Sequence, residues 1–144
     1  MCDDEVETLK SNNHVIPKWM SKQIMGSSGR KLSIDFETES ESVIQDTFKG
    51  DLVCEKCEKS FEKDDDYMAK ILLPCNTDTS ERKALGITAL GEHELWTDVN
   101  FRLVQRFVIG VVLRMEFYLC KEEEKLGLNY QYRELLKETY RNNN

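Results

Sequence analysis

Two groups of residues have types and spacing that could do chemistry, and the first is a cysteine pair. Cys54 and Cys57 stand in Cys54-Glu55-Lys56-Cys57, and Phe61 follows. This is the first half of a Cys2His2 finger, which needs two histidines roughly 12 residues further on. No histidine lies between Phe61 and Leu90, so that finger is excluded. A less regular zinc site would draw on Cys54, Cys57 and Cys75, with His93 or Cys120 as the fourth ligand of a tetrahedral centre. The competing expectation is a pair of reduced thiols packed near a turn, as cysteine commonly is. Apart from that zinc, no cofactor is expected.

A catalytic set is harder to assemble. The chain has no glycine-rich phosphate loop, no GxSxG and no HExxH, the motifs that would carry phosphoryl, acyl or metal-assisted chemistry. Of its two histidines, His14 lies in the tail and His93 in a polar turn between expected helices; a lone histidine in such a place is more often a solvated loop residue than a general base. Asp64-Asp65-Asp66 reads as charge placed at a helix N-terminus, where it complements the helix dipole. The expectation is a protein that is not an enzyme.

The second group is the tryptophan peptide His14-Val15-Ile16-Pro17-Lys18-Trp19-Met20-Ser21-Lys22-Gln23-Ile24. Pro17 presets φ and favours an extended approach through Ile16 or a first helical turn. Trp19 offers a large apolar surface on few rotatable bonds, the kind of anchor that dominates interfaces. His14, Val15, Ile16, Pro17, Trp19 and Met20 are therefore the expected partner-binding residues. The alternative is that Trp19 folds back and staples the tail onto the rest of the chain.

The elements that must position these groups follow from composition. The chain has 144 residues, 40% hydrophobic and 33% charged, with a net charge of −7. Such acidity argues against a nucleic-acid surface, so no direct nucleic-acid binding is expected. The longest apolar run, Phe107 to Leu113, falls far short of the ~20 residues of a membrane span. An odd number of cysteines, five in all, behind an acidic start without a leader peptide implies a reducing compartment, nucleus or cytoplasm.

Residues 1–48 hold few aromatics, a Gly26-Ser27-Ser28-Gly29 break and the acidic run Thr38 to Ser42. They are expected to be a disordered acidic tail carrying the docking peptide. Residues 49–144 are expected to form a small, mainly α domain. Helices are expected at Tyr67–Leu73, at Ser80–Leu90 with Gly91 as stop, over a long central amphipathic stretch from Glu94 to Lys125, and at Tyr130–Arg141 capped by Asn129. On the long helix, Asp98, Arg102, Gln105, Arg106 and Glu116 fall on one side of the wheel. Leu103, Val104, Phe107, Val108, Val111, Val112, Met115, Tyr118 and Leu119 cover the other.

Val15-Ile16-Pro17-Lys18-Trp19-Met20 resembles the Ku-binding motif of accessory proteins in non-homologous end joining. That motif has a basic residue, two apolar residues, proline, any residue, then tryptophan followed by leucine or methionine; His14 stands at its basic position. The resemblance implies the Ku heterodimer as partner and a role in DNA double-strand-break repair. A second resemblance links Glu94-Leu95-Trp96-Thr97-Asp98-Val99-Asn100-Phe101 to the first homology region of the Bcl-type apoptosis regulators, which would imply a helical interaction bundle. The third alternative is a zinc-stabilised structural module.

Overall fold

The computed structural model describes residues 9–25, 29–35, 38–44, 48–73, 79–90, 93–122 and 127–143. In chain order the elements are β1 (Asn13–His14), α1 (Lys18–Met25), β2 (Lys31–Asp35), β3 (Ser40–Ile44), β4 (Lys49–Gly50), α2 (Glu55–Leu72), α3 (Thr79–Ala84), β5 (Ile87–Leu90), β6 (His93–Trp96), α4 (Phe101–Glu122) and α5 (Tyr130–Asn142). The fold is mainly α, with the long helix α4 packed against both α2 and α5.

Helix α2 is far longer than the sequence reading. Its N-cap, Cys54, is extended (φ −73°, ψ 164°) and makes no side-chain capping bond. Glu55 and Glu58 in the first turn compensate by facing the positive end of the dipole. Its buried residues are Cys57, Phe61, Asp64, Met68 and Ile71, a stripe at the helical period. The Asp64-Asp65-Asp66 run thus lies in the middle of α2 and not at a helix start; Asp64 is part of the inward stripe.

The helix expected over Ser80–Leu90 stops early. Gly86 adopts φ +71°, a left-handed conformation that glycine takes at little cost, and a Cβ there would collide with the backbone of Asp98. The chain then enters the β5–β6 hairpin, with Ile87 opposite Trp96 and Leu90 opposite His93. The first residues of the expected Glu94–Lys125 helix are therefore strand. Helix α4 begins after Asn100, whose Oδ1 accepts from the Arg102 N–H at 3.1 Å and the Leu103 N–H at 3.4 Å, an N-cap. Helix α5 begins where expected, with the Asn129 side chain accepting from the Gln131 N–H.

Two adjoining clusters make the core. One joins Val15, Leu52, Val53, Cys57, Phe61, Ile109, Leu113 and Tyr140. The other joins Met68, Ile71, Ile87, Val99 and Phe107, with Trp19 and Met20 packed against it. Phe61 and Leu113 are completely enclosed, each contributing about 1.5–3 kcal/mol by burial. Gly110 lets α4 approach α2 closely: a Cβ there would lie 2.9 Å from the Phe61 ring. Among the described residues, no helix is long and apolar enough to cross a membrane.

Candidate functional site

The tryptophan peptide is built into the domain. Asn13 is the clamp: its Oδ1 accepts from the Leu52 N–H at 3.0 Å and the Val53 N–H at 3.1 Å. The two-residue ladder of β1 and β4 continues this join, and the Val15 N–H donates to the Phe48 carbonyl at 3.0 Å. Val15 is 1% exposed in the first core cluster, with Ile16 packed beside it. Pro17 is buried and opens α1, its carbonyl accepting from the Ser21 N–H. The Trp19 ring stacks on Phe107 at a centroid distance of 6.1 Å. Where the sequence suggested a disordered tail over 1–48, residues 13–25 take the fold-back arrangement, because Val15 and Trp19 find apolar neighbours and Asn13 satisfies two buried backbone donors. Residues 31–35 and 40–44 pair as a β2–β3 hairpin, with Glu39 at φ 51° in its turn.

One face of this peptide still meets solvent. Trp19, Lys18, Lys22, Glu58, Glu62 and Asp66 help line a surface cleft of about 370 Å³ between α1 and α2. The indole Nε1 of Trp19 is buried and has no hydrogen-bond partner, so the ring is held by packing alone. His14 lies at the same cleft and is half-buried.

The middle of α4 turns its charges inward. Arg114 forms a bidentate pair with Asp65, both N–O distances 2.8 Å, and lies over the Phe61 ring. Arg106 reaches Asp64 at 3.3 Å, donates to Ser60 Oγ at 3.0 Å and lies over the Tyr140 ring. Tyr140 donates to Asp64 Oδ2 at 2.6 Å. Burial pushes the Asp64 carboxyl above its ordinary value, against the Tyr140 hydrogen bond and the Arg106 charge. The Tyr140 hydroxyl is pushed up to about 12 by burial and by its bond to Asp64. On the α5 side Glu116 accepts from Arg133 at 2.8 Å and from the Leu128 N–H at 2.7 Å. Burial works against the Glu116 charge, yet the Leu128, Cys120 and Arg133 donors together hold its carboxyl below the ordinary value. These pairs join helices, and Asp65 and Arg114 also help line the cleft beside Trp19.

Arg106 and Glu116, expected on the solvent side of the long helix, are therefore buried. Several residues expected on its buried side are exposed instead, Val108 (52%), Val112 and Met115 among them, and Phe101 at the start of the helix is 69% exposed. Phe101, Gln105, Val108, Val112, Met115 and Leu119 follow one another at gaps of three or four residues, so they share one outer face. The sequence groups Val108, Val112, Met115 and Leu119 on one side of the wheel but sets Gln105 on the other, and it does not show which face the rest of the domain covers.

The cysteine pair sits at the start of α2, with Cys57 buried and Cys54 packed against the first core cluster. Both are thiols, not disulfides. Cys75, the third ligand expected for zinc, lies outside the described residues. Among the described residues no three His, Cys, Asp or Glu side chains come together as a metal site. Cys120 lies by Glu116 and Arg133, and burial pushes its thiol up. No family model, curated protein or solved structure matches the chain.

Proposed function

We propose that the chain is a non-enzymatic adaptor that docks protein partners on the outer face of α4. The observation that carries this reading is the row Phe101, Val108, Val112 and Met115, large apolar side chains exposed together on a helix whose inner face is already packed. Isolated exposed apolar residues are ordinary, whereas a contiguous apolar strip marks an interaction surface. The test is a photo-crosslinking amino acid at Val112, compared with the same group at exposed Lys56 on α2, followed by mass spectrometry of the adducts. Identified protein adducts at position 112 and not at 56 are expected. Equal labelling at both positions, or none at 112, overturns the adaptor reading.

The Ku heterodimer in double-strand-break repair is the second reading, carried by the Val15–Met20 peptide. Trp19, which lines the surface cleft and whose buried Nε1 has no partner, favours it. Docking as an extended ligand would first lift Val15 and Trp19 from the domain, at about 1.5–3 kcal/mol for each apolar side chain uncovered. A hot-spot tryptophan returns about 2 kcal/mol or more, so the peptide competes with its own domain. Binding of recombinant Ku to the full chain, lost with Trp19→Ala, is the expected result; equal binding by both proteins removes this reading.

A further inference from the structure

Phe101, Gln105, Val108, Val112, Met115 and Leu119 are separated by four, three, four, three and four residues. Alternating threes and fours keep side chains along one seam, the arrangement by which one helix packs on another. At 1.5 Å per residue the seam is ~27 Å long. Within Phe101–Leu119 the charged residues are Arg102, Arg106, Arg114 and Glu116, and the last three are buried. The six seam positions therefore carry no charge, and the one exposed charge within this span is Arg102, beside the N-terminal end of the seam. Pairs of unlike helices are chosen by charges flanking the seam, and here that means of choice is nearly absent.

The spacing also reads the same from either end. Laid antiparallel on a second α4, Val108 meets Val112, Phe101 meets Leu119, and Gln105 meets Met115; each contact occurs twice, so two of the six involve a polar side chain and four are wholly apolar. Antiparallel order sets the helix dipoles in opposition as well. At a net charge of −7, two copies repel across most of their surfaces, and an uncharged strip is where they approach at least cost. We infer that the outer face of α4 is a homodimer seam, occupied by α4 of a second copy in antiparallel order; this rests on the docking role given to that face above. The helix is already ordered by its inner packing, so pairing spends little further conformational entropy. A single-helix strip is small beside the ~800 Å² per partner of a standard interface, so the dimer dissociates in the micromolar range.

Sedimentation velocity of the full chain from about 1 μM to about 100 μM tests this directly. The expected result is a shift from one to two copies across the series. Val112→Glu is expected to stay monomeric throughout with an unchanged circular dichroism spectrum. Leu135→Glu, at an exposed apolar position on α5, is expected to dimerise like wild type. Mixing Val108→Lys with Val112→Glu should restore a dimer that neither forms alone, since position 108 faces 112 of the other copy. A wild-type chain that stays monomeric, a Val112→Glu chain that dimerises like wild type, or a Leu135→Glu chain that fails to dimerise overturns the seam. Failure of the mixed pair overturns the antiparallel order. A monomeric wild type that still gives identified adducts at position 112 sinks the self-pairing and leaves the adaptor reading standing; a dimer with no other adducts does the reverse.

Discussion

The inner and outer faces of α4 reverse the usual division of labour. The inner face holds Arg106, Arg114 and Glu116, all buried, while the outer face shows valines, a phenylalanine and a methionine to solvent. Charges on the inner face are tolerable because each has a designated partner on another element: Asp64 and Asp65 on α2, Arg133 on α5. Taken singly, such pairs add little net stability, since the desolvation of two ions offsets much of their attraction. Their geometry does fix rotation and register: the bidentate Arg114–Asp65 contact fits one setting of α4 on α2. The outer face has no such constraint and is shaped by what covers it.

The sharpest way to break this contrast is on the inner face. Arg114→Ala leaves Asp65 without its bidentate partner and uncovers the Phe61 ring. It is expected to cost about 3–5 kcal/mol, read as a lower urea midpoint. A loss under 1 kcal/mol would mean the pair is bystander and not register. Glu116→Gln is milder, about 1.5–3 kcal/mol at neutral pH, the scale of hydrogen bonds to a charged group. Its folded carboxyl is held below the ordinary 4.5, so the stability from its charge is complete above 4.5 and lost as the pH falls through the lower folded value. The gap between variant and wild type should therefore close on acidification, measured by urea melts at neutral and acid pH. The smallest effect belongs to the outer face: Val112→Glu should change the stability of the dilute, monomeric domain by no more than about 0.5 kcal/mol. Thermal melts at low concentration decide this, and a collapse there would make the outer face part of the core.

What could be read in the sequence depended on whether the signal was local. Helix α5 was legible because Asn129 is a cap whose side chain bonds the first turn. The start of α2 was not, since Cys54 makes no side-chain capping bond and so leaves no polar marker. Asn100 did mark the start of α4, but the apolar strand residues before it extend the same pattern. The aspartate run misled for a different reason. Asp64 and Asp65 look like surface charge until Arg106 and Arg114, more than forty residues away, arrive opposite them. The tryptophan peptide was recognised as a unit with an apolar anchor; its seat on Phe107 and Leu113 lies far along the chain and left no local trace. Of the outer seam, Val108, Val112, Met115 and Leu119 were legible as part of one apolar side; their exposure was not, because exposure is settled by the partners of the opposite face.

The distance between Val15 or Trp19 and their seats carries a consequence for biosynthesis. Val15 lies in a cluster with Leu113 and Tyr140, and Trp19 stacks on Phe107. Neither seat exists until α4 has been made. At about 5–20 residues per second, the nascent peptide spends on the order of five to twenty seconds with its tryptophan uncovered, so any chaperone or partner that reads it has its opening on the ribosome, before α4 arrives to cover it.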